Sequence, residues 1–174
     1  NSWHIRLKGK TLRALTQQMD AFYGDHVELS DDKTDFASTV GIGGVIGTKF
    51  VWPVGVHDNK ETGDINLTSD KEKWWAKWIE IYKNNMLPLG NYRGDLYDIG
   101  FDRPETHAVE KGKIMYYAFY APEYEGEVEL RGLESSSYKV TDYVNNTDLG
   151  MINGPTRNLK VKFNKYLLIK VEPI

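Results

Sequence analysis

Leu12, Leu15 and Met19 recur at helical spacing with polar residues between them, which predicts a helix over residues 10–19. Residues 19–24 (MDAFYG) read as a short buried strand that ends at Asp25 and His26. Residues 30–35 (SDDKTD) then form a polar loop full of capping side chains. Residues 39–53 are apolar, β-branched and punctuated by glycine, with 49–52 extended, and residues 57–68 are a polar connector. Helix, strand and polar loop in that order predict an α/β barrel segment. A second helix is predicted over 69–86: Ser69 and Glu72 make a capping box, Trp74, Trp75, Trp78, Ile79, Tyr82 and Met86 share one broad face, and Pro88 and Gly90 stop it. Its tryptophans are expected to pack against a neighbouring layer. Beyond residue 90 the rhythm changes to short alternating or apolar runs at 113–121, 126–131, 138–144, 159–163 and 166–171, separated by Gly, Asn, Ser and Pro. Such spacing predicts an antiparallel sandwich of Greek-key type. The fold class is therefore α/β followed by all-β, with a boundary near residue 90.

Composition narrows the function. The 174 residues carry 22 Lys+Arg and 25 Asp+Glu, a net charge of -3, so neither nucleic acid nor a polybasic membrane contact is expected. No apolar run is long enough to span a bilayer. With no cysteine, disulfides, zinc ribbons and thiol nucleophiles are excluded. The aromatic share of 13% suits either a β-rich core or a sugar-binding surface, where flat rings cover pyranose C–H faces.

The chemistry-bearing candidates cluster early. Asp25 follows a strand that follows a helix, which is where catalytic groups stand on a barrel. Tyr23, Gly24 and His26 surround it, and aromatic walls would raise a carboxyl pKa toward a general acid. A turn or N-cap Asp is the plainer alternative. Asp31, Asp32 and Asp35 form a second acidic group, but the spacing does not match a calcium loop. The glycines of residues 41–47 complete no dinucleotide fingerprint and no P-loop, so they are read as close backbone approach, in the barrel or under a sugar. His4, His26, His57 and His107 are scattered without metal spacing. Lys49 and Trp52 are candidate sugar contacts, or else aliphatic cover and a core ring.

The segments DAFYGDHVEL and DFASTVGIGGVIGTKF resemble the end of the catalytic barrel in α-galactosidase-like glycoside hydrolases of the melibiase clan, family 36-like bacterial enzymes in particular. MYYAFYA, ELRGL and YKVTDYVN resemble the β domain that follows it there. The resemblance implies the last strands of a (β/α)8 barrel, with a terminal helix at 69–86, in residues 1–90, and a β-sandwich in 91–174. It implies a retaining mechanism in which one Asp attacks the anomeric carbon and a second acts as acid/base. Asp25 matches the acid/base position. The Arg that many relatives carry four residues earlier is Ala21 here. Ser30-Asp31 and Thr34-Asp35 are similar to a Ser-Asp-x-Thr-Asp motif with one extra residue, which keeps Asp31 and Asp35 as alternatives.

The nucleophile of such enzymes lies on an earlier strand, so a position outside this chain is expected for it. The chain then reads as the C-terminal portion of an enzyme, meeting carbohydrate substrate together with an N-terminal barrel portion or partner chain. Self-association into a homo-oligomer is left open. No cofactor and no metal are required, because two carboxylates suffice. The resemblance to bacterial enzymes implies a periplasmic or extracellular setting. The competing class is a non-catalytic carbohydrate-binding or structural β module.

Overall fold

The structure, a computed structural model, describes residues 2–16, 23–24, 34–47 and 69–174. The elements run α1 (Ser2–Thr16), β1 (Tyr23–Gly24), α2 (Asp35–Gly41), β2 (Val45–Ile46), α3 (Ser69–Asn85), a 3-10 turn (Leu87–Leu89), β3 (Asn91–Tyr92), β4 (Glu105–Lys111), β5 (Ile114–Leu130), β6 (Ser137–Asp142), β7 (Thr147–Asn153) and β8 (Arg157–Pro173).

Six strands form one antiparallel sheet in the order β3-β4-β5-β8-β6-β7. Its spine is the β5–β8 pair, in register from Met115↔Val171 to Leu130↔Arg157. The runs predicted as separate strands at 113–121 and 126–131 are one 17-residue strand, and those at 159–163 and 166–171 are another. Pro122 lacks an N–H and sits in the bulge between Ala121 and Glu123, so the ladder continues past it. Two strands at 105–111 and 147–153 carry no clear alternation in sequence and were not expected. The β6–β7 hairpin is closed by Asp142, whose Oδ1 accepts from the backbone N–H of Val144 (2.9 Å) and Asn145 (3.1 Å).

The first half of β5 is buried on both faces, which is why MYYAFYA is apolar without alternation. Tyr116, Ala118 and Tyr120 join Leu168, Phe36, Val40, Trp78 and Leu87 beneath the helices. Met115, Tyr117 and Phe119 turn the other way, to Val128, Leu130, Tyr138, Val140, Phe163 and Ile169. The second half of β5 reverts to period two. Val128 and Leu130 are buried while Glu125, Glu127 and Glu129 stay exposed, and Glu125 meets Lys162 at 2.6 Å.

The predicted helix at 69–86 ends one residue early, at Asn85. Trp78 is fully buried, stacked on Phe36 at 6.1 Å and edge-on to Trp74 and Tyr166 at 6.0 and 5.8 Å, so the core role expected for this face is observed. Removing that ring would cost about 3–5 kcal/mol.

Two expectations for the first region are corrected, the bounds and inward face of the first helix and the placement of Asp35. The first helix starts at Ser2, and its inward face is not the leucine stripe. Leu12 and Leu15 are 46% and 75% exposed, while Arg6 and Gly9 are buried; Met19 lies outside the described residues. Asp35 is not in a loop but opens helix α2, which runs into the apolar stretch through Thr39 and Val40 to Gly41. The β-branched residues disguised it, and burial against the sheet overrides their weak helix propensity. The glycines serve packing. A Cβ on Gly41 would overlap the Tyr120 hydroxyl and stand 2.8 Å from Ala118 Cβ, and Gly43 adopts φ +73° in the turn that ends α2.

Candidate functional site

β1 and β2 pair in parallel, Tyr23 with Val45 and Gly24 with Ile46, and α2 lies between them in sequence. Parallel neighbours need a crossover, and here the connection carries a helix. Their C-terminal ends, Gly24 and Ile46, therefore share one edge. Asp25 is next in sequence after Gly24. Asp25, His26, Asp31, Lys49 and Trp52 lie outside the described residues; of Tyr23 the backbone alone is described.

Asp35 is described and is 2% exposed, at the first position of α2. Ser2 Oγ donates to its Oδ1, and the same hydroxyl lies 2.6 Å from Thr34 Oγ1. A carboxylate at a helix N-terminus is favoured by the helix dipole. Asp35 therefore joins the starts of α1 and α2.

A second polar constellation was missed by sequence reasoning. Arg6, on α1, forks onto Glu105 of β4, with Nε to Oε1 at 2.6 Å and Nη2 to Oε2 at 3.0 Å. Its Nη1 donates to Ser38 Oγ of α2 at 2.9 Å, and its guanidinium lies 4.2 Å from the Tyr120 ring centroid. Glu105 Oε1 is also 2.7 Å from His107 Nε2, and His107 Nδ1 is 2.7 Å from the Tyr92 hydroxyl. Burial lowers the His107 pKa below its ordinary value, partly offset by Glu105. A neutral His107 that donates from Nε2 and accepts Tyr92 O–H at Nδ1 satisfies every partner. Burial opposes ionisation of Glu105, but the bonds from His107 and Arg6 outweigh it and hold the carboxyl at about 2. Burial, then Glu105, pushes the Tyr92 phenol up.

The signal for this cluster was the polar pair Glu105 and His107 at i, i+2, on one face of a strand. Arg6 could not be paired with them from sequence, being 99 residues from Glu105. With His107 at 1% exposure the cluster offers no room to a substrate and acts as a clamp. Lys10 adds a bond to Tyr97 O (2.8 Å), and Arg13 bonds Gly90 O (2.7 Å) and Gly43 O (3.3 Å). Thus α1 docks by cations along its inner face. Among the described residues no group of three or more His, Asp or Glu is arranged to hold a metal ion, and no helix is long and apolar enough to cross a membrane.

No family model matches the chain. Over 164 residues it is 32% identical to an A type blood alpha-D-galactosamine galactosaminidase of Flavonifractor plautii, a match covering 88% of this chain and 14% of that protein. The chain thus spans about 14% of the length of the curated relative it matches. Among solved structures it is similar to an Anoxybacillus alpha-amylase, with TM-score 0.55 and 12% identity over 85% of this chain and 32% of that one. It is also similar to alpha-galactosidase I of Mortierella vinacea, with TM-score 0.44 and 12% identity over 82% of this chain and 36% of that one. The likeness to the amylase is one of fold alone. The sequence relationship to the galactosaminidase spans a small part of that protein and does not single out family 36.

Proposed function

We propose that the chain is the C-terminal part of a retaining glycosidase acting on terminal α-galactosides or the related α-galactosaminides. The observation that carries this reading is the 32% identity, across 88% of the chain, with a protein named as a galactosaminidase. Asp25 is the general acid/base: it protonates the leaving oxygen and then takes a proton from the water that frees the sugar. Tyr23, His26, Lys49 and Trp52 are its substrate neighbours. Residues 1–90 belong to the barrel and 91–174 to the β domain behind it. The nucleophile is supplied by the remainder of the barrel, in the same polypeptide or a partner chain.

Two observations support the division. The β1–α2–β2 unit is a parallel pair with a helical crossover, the repeating unit of such barrels. The exposed side of α1 carries Trp3 (49% exposed), Leu7 (36%), Leu12 and Leu15, a surface suited to a further layer.

The test is hydrolysis by the enzyme assembled with this chain, comparing Asp25→Asn, Asp31→Asn and Asp35→Asn. Asp25→Asn is expected to reduce kcat by about 10²–10⁴, with a larger loss on natural glycans than on p-nitrophenyl α-galactoside, whose leaving group needs little protonation. Full activity in Asp25→Asn, with loss in Asp31→Asn instead, would transfer the role to Asp31.

A further inference from the structure

Glu105 and Tyr120 stand opposite each other where the pairing of β4 and β5 ends. Both reach the same helix. The Tyr120 hydroxyl donates to the Ala37 carbonyl of α2 at 2.8 Å, and Glu105 reaches the next residue, Ser38, through Arg6. The Arg6 guanidinium lies over the Tyr120 ring, so the two arms brace each other. Ser38 is fully buried and Tyr120 is 4% exposed, which shields both arms from competing water. One helical turn beyond Ala37, Gly41 lies against Tyr120, Ala118 and Leu168, where a Cβ would have no room.

What α2 carries is the β1–β2 pair. Residues 42–44 alone separate it from β2. That link is closed by Gly43 N–H to Val40 O (3.0 Å) and Gly44 N–H to Thr39 O (2.8 Å), and Arg13 Nη1 donates to Gly43 O at 3.3 Å. A link so short and so bonded passes the position of α2 on to Val45 and Ile46, and through the parallel pairing to Tyr23 and Gly24. The physical contacts are thus continuous from the six-stranded sheet to the edge at Gly24 and Ile46.

We propose that Tyr120 and Arg6 are positioning residues for catalysis: through α2 they fix the β1–β2 edge, and with it the acid/base that follows Gly24 in sequence. Both are buried between the helices and the sheet and do not meet substrate. The inference rests on the assignment of Asp25 as acid/base. Proton transfer to a leaving oxygen depends steeply on geometry, and a misplacement of about 1 Å costs about 10²-fold in rate. Loosening one arm of α2 costs less, and the loss falls on the step that needs the acid.

The test is kcat/KM of the enzyme assembled with this chain, on methyl and p-nitrophenyl α-glycosides of galactose and of galactosamine. This constant reports the step in which the leaving oxygen is protonated, and the methyl glycoside needs that proton far more than the p-nitrophenyl glycoside does. Arg6→Ala would release α1 as well, so Tyr120→Phe and Ser38→Ala are the probes, each removing one polar group from one arm. Each should lower kcat/KM about tenfold on the methyl glycoside and no more than about twofold on the p-nitrophenyl glycoside. The control is Tyr117→Phe, whose hydroxyl bonds Arg131 O at 2.6 Å on the opposite face of β5; it should affect both substrates equally. Equal losses or none in the two probes, or the same leaving-group dependence in Tyr117→Phe, would overturn the inference, while a leaving-group-dependent loss in Asp25→Asn keeps the acid assignment. Asp25→Asn without that dependence would overturn the assignment itself, and the inference with it.

Discussion

The β region and the α/β region bury their apolar residues to very different degrees. From residue 91 onward the sheet covers both faces of its spine, one with its own second half and hairpin, the other with α2, α3 and the turn after it. Helix α1 does the reverse. It presents Arg6, Lys10 and Arg13 to the body and leaves Trp3, Leu7, Leu12 and Leu15 outside. A helix normally buries its apolar stripe; α1 instead turns its cationic side to the body and leaves apolar residues exposed.

Four measurements sharpen or break that contrast. The largest effect is expected at the clamp. Arg6→Ala leaves Glu105 buried without its main counter-charge and should destabilise the chain by about 3–5 kcal/mol in chemical denaturation. A loss under 1 kcal/mol would show that α1 is not held by charge. Acidification attacks the same cluster. Folded-state pKa values of both Glu105 and His107 lie below their unfolded ones, so their stabilisation is present at neutral pH and is lost as pH falls. The His107 share should begin to fall below about 6.5, and the Glu105 share, on the order of 3 kcal/mol, should be lost between about 4.5 and 2. The melting temperature should therefore drop in two stages between pH 7 and 3, and Glu105→Gln should flatten the lower one.

Packing gives the next effect. Gly41→Ala forces a Cβ into Tyr120 and Ala118 and should cost about 1–3 kcal/mol by separating α2 from the sheet. Unchanged stability would mean that α2 is free to move away. The smallest effect is expected on the outer face of α1. Leu15→Ser in the isolated chain should change stability by no more than about 0.5 kcal/mol, because the residue is 75% exposed. A large loss would mean that this chain itself covers the face.

The same contrast explains what was legible in sequence. Helix α3 was readable to one residue because its apolar period and stop signal agree and its face packs on an ordinary apolar core. MYYAFYA was readable as strand for its β-branched-free but aromatic-rich apolar run, although Pro122 hid its continuation into GEVEL. The face of α1 was misread because periodicity identifies the apolar side, and here the side turned inward is cationic. Its partners Glu105, Tyr97 O and Gly90 O are remote in sequence. Strand β4 was missed for the related reason that it contributes Glu105 and His107 to a buried network, and so lacks the expected alternation. The candidate site was legible as far as the parallel β1–β2 edge that Asp25 follows in sequence.

The proposed function assigns the outer face of α1 to contact with the remainder of a larger enzyme. Its most direct test is the native mass of the 174-residue chain co-expressed with the remainder of the enzyme as a separate polypeptide, wild type against the Trp3→Ser, Leu7→Ser, Leu15→Ser triple variant. The account predicts a wild-type particle containing a larger, different polypeptide, and release of the 20.0 kDa chain by the triple variant. A 20.0 kDa monomer, or an assembly of identical copies, would contradict it.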